Sequence, residues 1–133
     1  MADDVGNLES DFGAFTEHWR PKRIAELNGQ EVKVVKVKGT FPWHRHEHCE
    51  EMFLVHRGVF FVEYRERVVT LRAGEYTVVP RGVEHRTAAD EEAEVLIFEP
   101  KDTVNTGDAP TSEYTAPNAV SPTGARLSRP IGE

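Results

Sequence analysis

Short runs of apolar and β-branched residues alternate with polar turn residues between Lys22 and Phe98. Alternation within a run is typical of a β-strand, because successive side chains point to opposite faces. The predicted strands cover 22–27, 31–38, 51–57, 59–65, 68–71, 76–79 and 95–98. Short strands at this spacing, without a convincing long helix, predict an all-β antiparallel sandwich or barrel.

The segments between these strands have the composition of tight turns. Asn28-Gly29 separates the first two strands. Both residues accept the positive φ angles of a type I′ turn, so they predict a β-hairpin. The next two runs meet at Gly58 and are interpreted as a second hairpin, followed by a polar turn at 65–67.

The N-terminal residues carry a weaker helical pattern. A turn or two of helix is predicted from Asp11 to Trp19, with Asp11 as its N-cap. Phe12, Phe15 and Trp19 would then lie on one side of this helix, facing the rest of the protein.

Three parts of the chain are distinguished by composition. An N-terminal arm covers 1–21, the barrel covers 22–100, and a C-terminal extension covers 101–133. The extension is rich in Pro, Gly, Ser and Thr and cannot bury enough apolar surface to order itself. We expect it to lie against the barrel or against a neighbouring subunit.

Charge and cysteine content restrict the classes of partner. The 133 residues suffice for one domain with one core. The net charge of −7 argues against nucleic acid and against an anionic membrane surface as partners. Cys49 is the only cysteine and the acidic start lacks the features of a secretory signal, so a cytoplasmic protein is expected.

Candidate metal ligands concentrate just before the third predicted strand. His44 and His46 are two residues apart, so on an extended chain both imidazoles point to the same face. Glu50 and Glu51 follow, and spacing alone leaves the choice between them open. His85 is a fourth candidate. Three imidazoles and one carboxylate suit one divalent transition metal, which could be Fe, Mn, Ni, Co or Zn.

These residues stand in two motifs that resemble those of the cupin superfamily, a group of small β-barrels. The first motif reads His44-x-His46, four residues, Glu51, six residues, Gly58. The second reads Gly74, five residues, Pro80-Arg81-Gly82, two residues, His85. Only Glu51 keeps the six-residue step to Gly58, so the resemblance selects Glu51 over Glu50.

The resemblance implies a jelly-roll barrel with one metal. The implied ligands are His44, His46, Glu51 and His85, and Glu51 is also the candidate general base. Two positions depart from the usual pattern, namely the spacing of Gly39 from His44 and Ala89 in place of an asparagine. Neither departure removes a ligand, so the site is expected to survive. An intact barrel without metal is the alternative.

Aromatic residues near the motifs are candidates for the wall of a substrate pocket. They are Phe41, Trp43, Phe53 and Tyr76, and ordinary core packing is the alternative for each. Three further side chains are predicted not to bind the metal, namely His48 in a loop, outward-facing His56, and Cys49, whose acidic neighbours disfavour the thiolate.

A metal-dependent enzyme acting on a small molecule is the leading functional hypothesis. Oxidative cleavage by a dioxygenase and isomerase or lyase chemistry on a sugar-like molecule fit the ligand set equally well. The alternative is a non-catalytic module that binds or senses a small molecule. A homodimer is expected, because outward apolar residues such as Met52 and Leu54 need cover.

Overall fold

The computed structural model describes residues 4–116, and the prediction of an all-β antiparallel fold is confirmed. One short helix precedes seven strands. In chain order they are α1 Leu8–Gly13, β1 Lys22–Leu27, β2 Gln30–Thr40, β3 Glu51–Arg57, β4 Val59–Glu63, β5 Val68–Arg72, β6 Tyr76–Val79 and β7 Arg86–Pro100.

The long strand β7 organises the sheet. The strand order is β1-β2-β7-β3-β6, and β4 pairs with both β5 and β7. All of these pairings are antiparallel. Strand β7 pairs with β2 along one side, and with β3 and β4 in succession along the other, so it connects the two halves of the fold.

The first predicted hairpin is confirmed. β1 and β2 pair with Leu27 opposite Gln30, and two residues connect them. Asn28 has a φ angle of 52° and Gly29 one of 77°, as a type I′ turn requires.

The second predicted hairpin, at Gly58, is wrong. β3 pairs with β6 and β7, whereas β4 pairs with β5 and β7. A single residue cannot reverse the chain, so β3 and β4 continue in the same direction along β7. Gly58 passes so close to that strand that a Cβ would lie 3.0 Å from the Cα of Ala93.

Strand β7 is much longer than the predicted strand at 95–98. Its first half includes the acidic stretch 90–92, which has low β-propensity and is exposed. Neighbouring strands override this local preference, because residues 86–88 pair with β4 and 88–89 pair with the end of β2.

The N-terminal helix begins earlier than predicted. Asn7, not Asp11, is the N-cap, and its side chain accepts a hydrogen bond from Ser10 N at 3.0 Å. Phe12 and Phe15 are buried, as expected for one face. Trp19 does not share this face, because the chain has left the helix and turns at Trp19 with a φ angle of 63°.

Alternation along the strands separates two apolar clusters. Val35, Phe53 and Val55 belong to the cluster inside the barrel. On the outer face, Leu54 packs in a second cluster beneath Phe12 and Phe15 of the N-terminal segment. Leu54 is therefore already covered within the chain, which removes one of the two residues on which the expected homodimer rested; the dimer stays a prediction.

Part of the predicted C-terminal extension lies against the barrel. Asp108 accepts a hydrogen bond from Arg45 N at 2.8 Å, and its own N–H donates to Arg45 O at 3.1 Å. Residues 117–133 of the extension and 1–3 of the arm fall outside the described residues. Among residues 4–116, the single helix is far too short to cross a bilayer.

Candidate metal centre

The two sequence motifs meet at a backbone bridge between His44 and His85. The N–H of each residue donates to the carbonyl of the other, both at 2.9 Å. Two residues with four strands between them in the chain are thereby fixed side by side, and their imidazole centroids lie 4.4 Å apart.

The four predicted ligands lie together and are buried. Glu51 Oε1 is 3.6 Å from His46 Nε2 and 3.5 Å from His85 Nε2. One ligand atom from each of the four residues falls within 4.8 Å of the others. Atoms that share one ion at about 2.1 Å each can be up to about 4.2 Å apart, so only a small contraction is needed. The exposed fractions are 4% for His44, 7% for His46, 4% for Glu51 and 0% for His85.

Hydrogen bonding within the cluster leaves donor atoms free for a metal. His44 Nδ1 lies 2.9 Å from Pro42 O and His85 Nδ1 lies 3.0 Å from Val83 O. A carbonyl only accepts, so in the neutral rings Nδ1 carries the proton and Nε2 keeps its lone pair. His46 Nε2, Glu51 Oε1 and His85 Nε2 are buried without a hydrogen-bond partner. Orphaned polar atoms at this depth are costly, and one divalent ion would satisfy all three.

The protonation states also suit metal binding. Burial, followed by the neighbouring His85, lowers the pKa of His44 from 6.5 to about 4. Burial likewise lowers the pKa of His46. For Glu51 burial acts in the opposite sense, but His85 and His46 outweigh it and bring the pKa to about 2. At neutral pH His44 and His46 are therefore neutral imidazoles and Glu51 is a carboxylate, the forms that bind metal ions.

The lowered pKa of His44 predicts acid sensitivity of the metal-free protein. The unfolded chain binds this proton near pH 6.5, whereas the folded chain binds it only near pH 4. The free energy of unfolding is therefore highest above pH 6.5 and decreases as the pH falls towards 4. The expected loss is on the order of 3 kcal/mol. Urea unfolding of metal-free protein at several pH values measures it.

The raised pKa of Glu99 opposes this effect, since burial and then the Glu51 carboxylate favour its protonated form in the folded state. The comparison is therefore made in the Glu99→Gln background and between pH 6.5 and 5, above the ordinary pKa of a glutamate, where the lowered pKa values of His44 and His46 dominate the loss of stability. Equal stability at both pH values in that background would contradict a depressed pKa for His44.

The fold and the ligand pattern agree with one protein family. Residues 31–99, just over half of the chain, match the Cupin domain family. This chain belongs to the cupin family. The matched region runs from the start of β2 to the end of β7 and contains all four residues of the cluster.

Solved structures of other proteins resemble the barrel over most of its length. A cupin-2 domain containing protein from Shewanella frigidimarina is 42% identical, with a TM-score of 0.75 over 76% of this chain and 99% of the other. Protein NMB1881 from Neisseria meningitidis is 28% identical, with a TM-score of 0.67 over 72% of this chain and 98% of the other.

More distant relatives include KdgF from Halomonas sp., 25% identical, with a TM-score of 0.54 over 61% of this chain and 77% of the other. The uncharacterized protein YdbB of Bacillus subtilis is 29% identical over 65 residues, which are 48% of this chain and 58% of YdbB. This cupin therefore aligns with less than two thirds of the length of that curated relative.

A cavity inside the barrel adjoins the cluster, and two of the four predicted wall residues line it. Phe41 and Phe53 line the cavity together with His44 and Glu51. The cavity volume is about 40 Å³, room for roughly three waters.

The other two predicted wall residues, Trp43 and Tyr76, lie elsewhere. Trp43 packs outside the cavity against the guanidinium of Arg65, 3.8 Å from its ring centroid. Tyr76 is 64% exposed. It is paired with Leu54, which faces outward, so Tyr76 shares the outer face.

Several polar lining residues were missed from the sequence. They are Thr87, Glu99 and Asn105. Glu99 is 2% exposed, and its Oε2 lies 3.6 Å from Lys33 Nζ. Strict alternation from Val95 and Ile97 would have placed Glu99 on the inner face, but its position before Pro100 suggested the end of the strand.

His48, His56 and Cys49 lie as expected. His48 is exposed in the turn between β2 and β3. His56 stacks on Phe12 with a centroid distance of 5.2 Å. Burial, supported by Glu99 and Glu51, raises the pKa of Cys49, which disfavours a reactive thiolate.

Proposed function

We propose that this cupin is a metal-dependent enzyme that acts on a small oxygenated substrate. The observation that carries the proposal is the position of the four-residue cluster in the wall of a cavity. His44 and Glu51 both line the cavity, so a ligand inside it would reach the cluster directly. Three imidazoles and one carboxylate also leave positions open on a six-coordinate ion, unlike a closed structural site.

The chain's own residues would hold and orient the reacting groups. A divalent metal bound by His44, His46, Glu51 and His85 would supply a Lewis acid that polarises an oxygen of the substrate. The backbone carbonyls fix the His44 and His85 rings, as described above. Glu51 lies in the cavity wall, and it would act as the general base after leaving the metal.

The lining favours oxidative cleavage of an enolisable substrate over isomerase or lyase chemistry on a sugar. A buried sugar needs a hydrogen-bond partner for each of several hydroxyl groups. Besides the two ligands, Thr87, Glu99 and Asn105 are the only described lining residues with a polar side chain that could serve as a partner, since the indole N–H of Trp19 already donates to Lys38 O. Among residues 4–116, no lysine or arginine lines the cavity to receive a phosphate group.

Metal analysis followed by oxygen uptake tests the proposal. Protein purified without added metal is analysed, stripped, and reloaded separately with Fe(II) and Zn(II). The iron-loaded protein is expected to consume dioxygen with 2,4-pentanedione, a small enolisable diketone, whereas the zinc-loaded protein is not. His85→Ala, loaded in the same way, is the control for oxygen consumption by free iron.

Two results would contradict the proposal. A bound metal without exchangeable water, measured by proton relaxation of the Mn(II)-loaded protein, would contradict catalysis and favour a non-catalytic binding module. Absence of metal binding altogether would contradict the metal centre itself.

A further inference from the structure

Three aromatic rings close one side of the cavity. Trp19 and Phe41 line it, with ring centroids 5.0 Å apart. Tyr114 covers both rings edge-on, at 6.4 Å from Trp19 and 5.5 Å from Phe41. Phe41 in turn contacts the ring of His44 at 5.4 Å. We call Trp19, Phe41 and Tyr114 the aromatic wall; it reaches from the surface to the metal centre.

The wall is built by segments that lie outside the strands. Trp19 precedes β1, Phe41 follows β2 and Tyr114 follows β7. Such segments tolerate changes in sequence and position better than paired strands, and binding residues are often found on them. The opposite side of the cavity consists of strand residues, including Val35 and Phe53, whose positions the sheet fixes.

Trp19 is held in an unusual backbone conformation. Its φ angle of 63° lies in the left-handed region, which is costly for a bulky residue. Two hydrogen bonds to β2 keep it there, from Trp19 N to Lys36 O and from Nε1 to Lys38 O, both at 2.9 Å. The fold thus places this indole against the cavity despite the local strain.

Tyr114 and its neighbour Thr115 are held by one hydrogen bond each, from the C-terminal segment and from the N-terminal arm. Asn105 Nδ2 donates to Tyr114 O at 2.8 Å, and Arg20 donates to Thr115 O at 3.1 Å. Arg20 directly follows Trp19, so the N-terminal arm and the C-terminal segment are tied together over the wall. Tyr114 supports the two lining rings from outside and is a positioning residue.

The composition of the cavity indicates what the wall would contact. Apart from the cluster and three polar side chains, its lining is apolar or aromatic, with no cationic side chain among the described residues. The Glu51 carboxylate disfavours a negative charge on the part of a substrate that does not bind the metal. Flat rings prefer to pack against other flat rings, edge-on or offset.

Resting on the proposed metal-dependent function, we propose that Trp19 is a specificity-determining residue that selects a substrate with a planar, uncharged, unsaturated body attached to its metal-binding oxygens. Phe41 completes the contact, and Tyr114 holds both rings in place. The cavity volume of about 40 Å³ is smaller than such a body, so the lining has to move apart when the substrate binds.

Two chelators with the same head group test the proposal without turnover. Benzohydroxamate and acetohydroxamate differ only in a phenyl or methyl group. Their dissociation constants are measured by calorimetry on zinc-loaded protein whose zinc content is known. The native protein is expected to prefer benzohydroxamate by about tenfold or more, because the phenyl ring gains aromatic contacts. Trp19→Leu is expected to bring this ratio close to one.

Matched controls separate this role from a structural one. Trp43→Leu removes the other tryptophan, which lies outside the cavity, and should leave the ratio unchanged. Tyr114→Ala should lower the ratio, whereas Tyr76→Ala on the outer face should not. Trp19→Phe keeps an aromatic ring, and it should retain most of the preference even if Trp19→Leu folds poorly.

Different results would contradict the role of the aromatic wall and the proposed metal-dependent function. A native ratio near one, or an unchanged ratio in Trp19→Leu or Tyr114→Ala, would overturn the role of the wall while leaving the metal centre intact. Failure of the native protein to bind zinc would instead overturn the metal-dependent function on which the inference rests.

Discussion

Replacement of His85 or His46 by alanine is expected to lower metal affinity by at least about a hundredfold. Both imidazoles present a buried Nε2 without another partner, at 3.5 and 3.6 Å from Glu51 Oε1. Removing either ring leaves three ligands and a gap that water would have to fill. The metal content of dialysed protein, measured by elemental analysis, reports the loss.

His48→Ala is the matched control for these variants. His48 is two residues from His46 but lies exposed in the neighbouring turn, so its removal should leave metal content unchanged. Circular dichroism establishes that each variant is folded, and His46→Ala covers the case in which the fully buried His85 is needed for folding. Full metal occupancy in folded His46→Ala or His85→Ala would refute the four-ligand assignment.

Gly107→Ala is expected to destabilise the protein by about 2–4 kcal/mol. A Cβ at this position would lie 2.3 Å from Arg45 O and 3.1 Å from Cδ2 of His44. The φ angle of 53° adds strain for any residue with a side chain. Urea unfolding measures the change. Because the clash pushes on His44, metal affinity should fall as well.

Gly29→Ala separates conformational strain from the clash. Gly29 has a φ angle of 77°, but a Cβ added there would meet no atom within 4 Å. This variant should lose only about 1 kcal/mol and keep its metal affinity. If Gly107→Ala and Gly29→Ala behaved alike, the close approach of the C-terminal segment to His44 would be contradicted.

The histidine cluster and Gly107 belong to different parts of the chain that converge on one point. His44 is paired to His85 on one side, and on the other it lies beneath Gly107, which follows the buried Thr106. The C-terminal segment is thus part of the enclosure of the candidate centre. From the sequence it was expected only to lie against the barrel or against a neighbouring subunit.

The motifs of this cupin could be recognised because they are local. Asn28-Gly29 specifies its turn through its own φ angles, and Glu51 takes its inward direction from the parity of β3, whose buried positions are Glu51, Phe53 and Val55. The spacing of the histidine motifs reflects the same strand-and-turn geometry. Such features depend on a few consecutive residues, so a sequence carries them directly.

Pairing between distant segments had to come from the tertiary structure. Gly58 joins β3 and β4, which both pair with β7 and not with each other. Tyr76 faces outward because it is paired with Leu54. Both features depend on which strand is the pairing partner. The alternation of apolar and polar residues within one strand is compatible with many partner strands, so it does not identify the partner.

Local alternation and turn composition were sufficient to predict the fold class and the first hairpin, and the resemblance of the motifs to those of cupins selected the four candidate ligands. The extent of β7, the inward position of Glu99, and the enclosure of the centre by Trp19, Tyr114 and Gly107 became visible only in three dimensions. The reason is physical. These contacts join segments up to 95 residues apart, as in the bond from Arg20 to Thr115, and their formation depends on the closed barrel that brings both ends of the described chain to one side of the cavity.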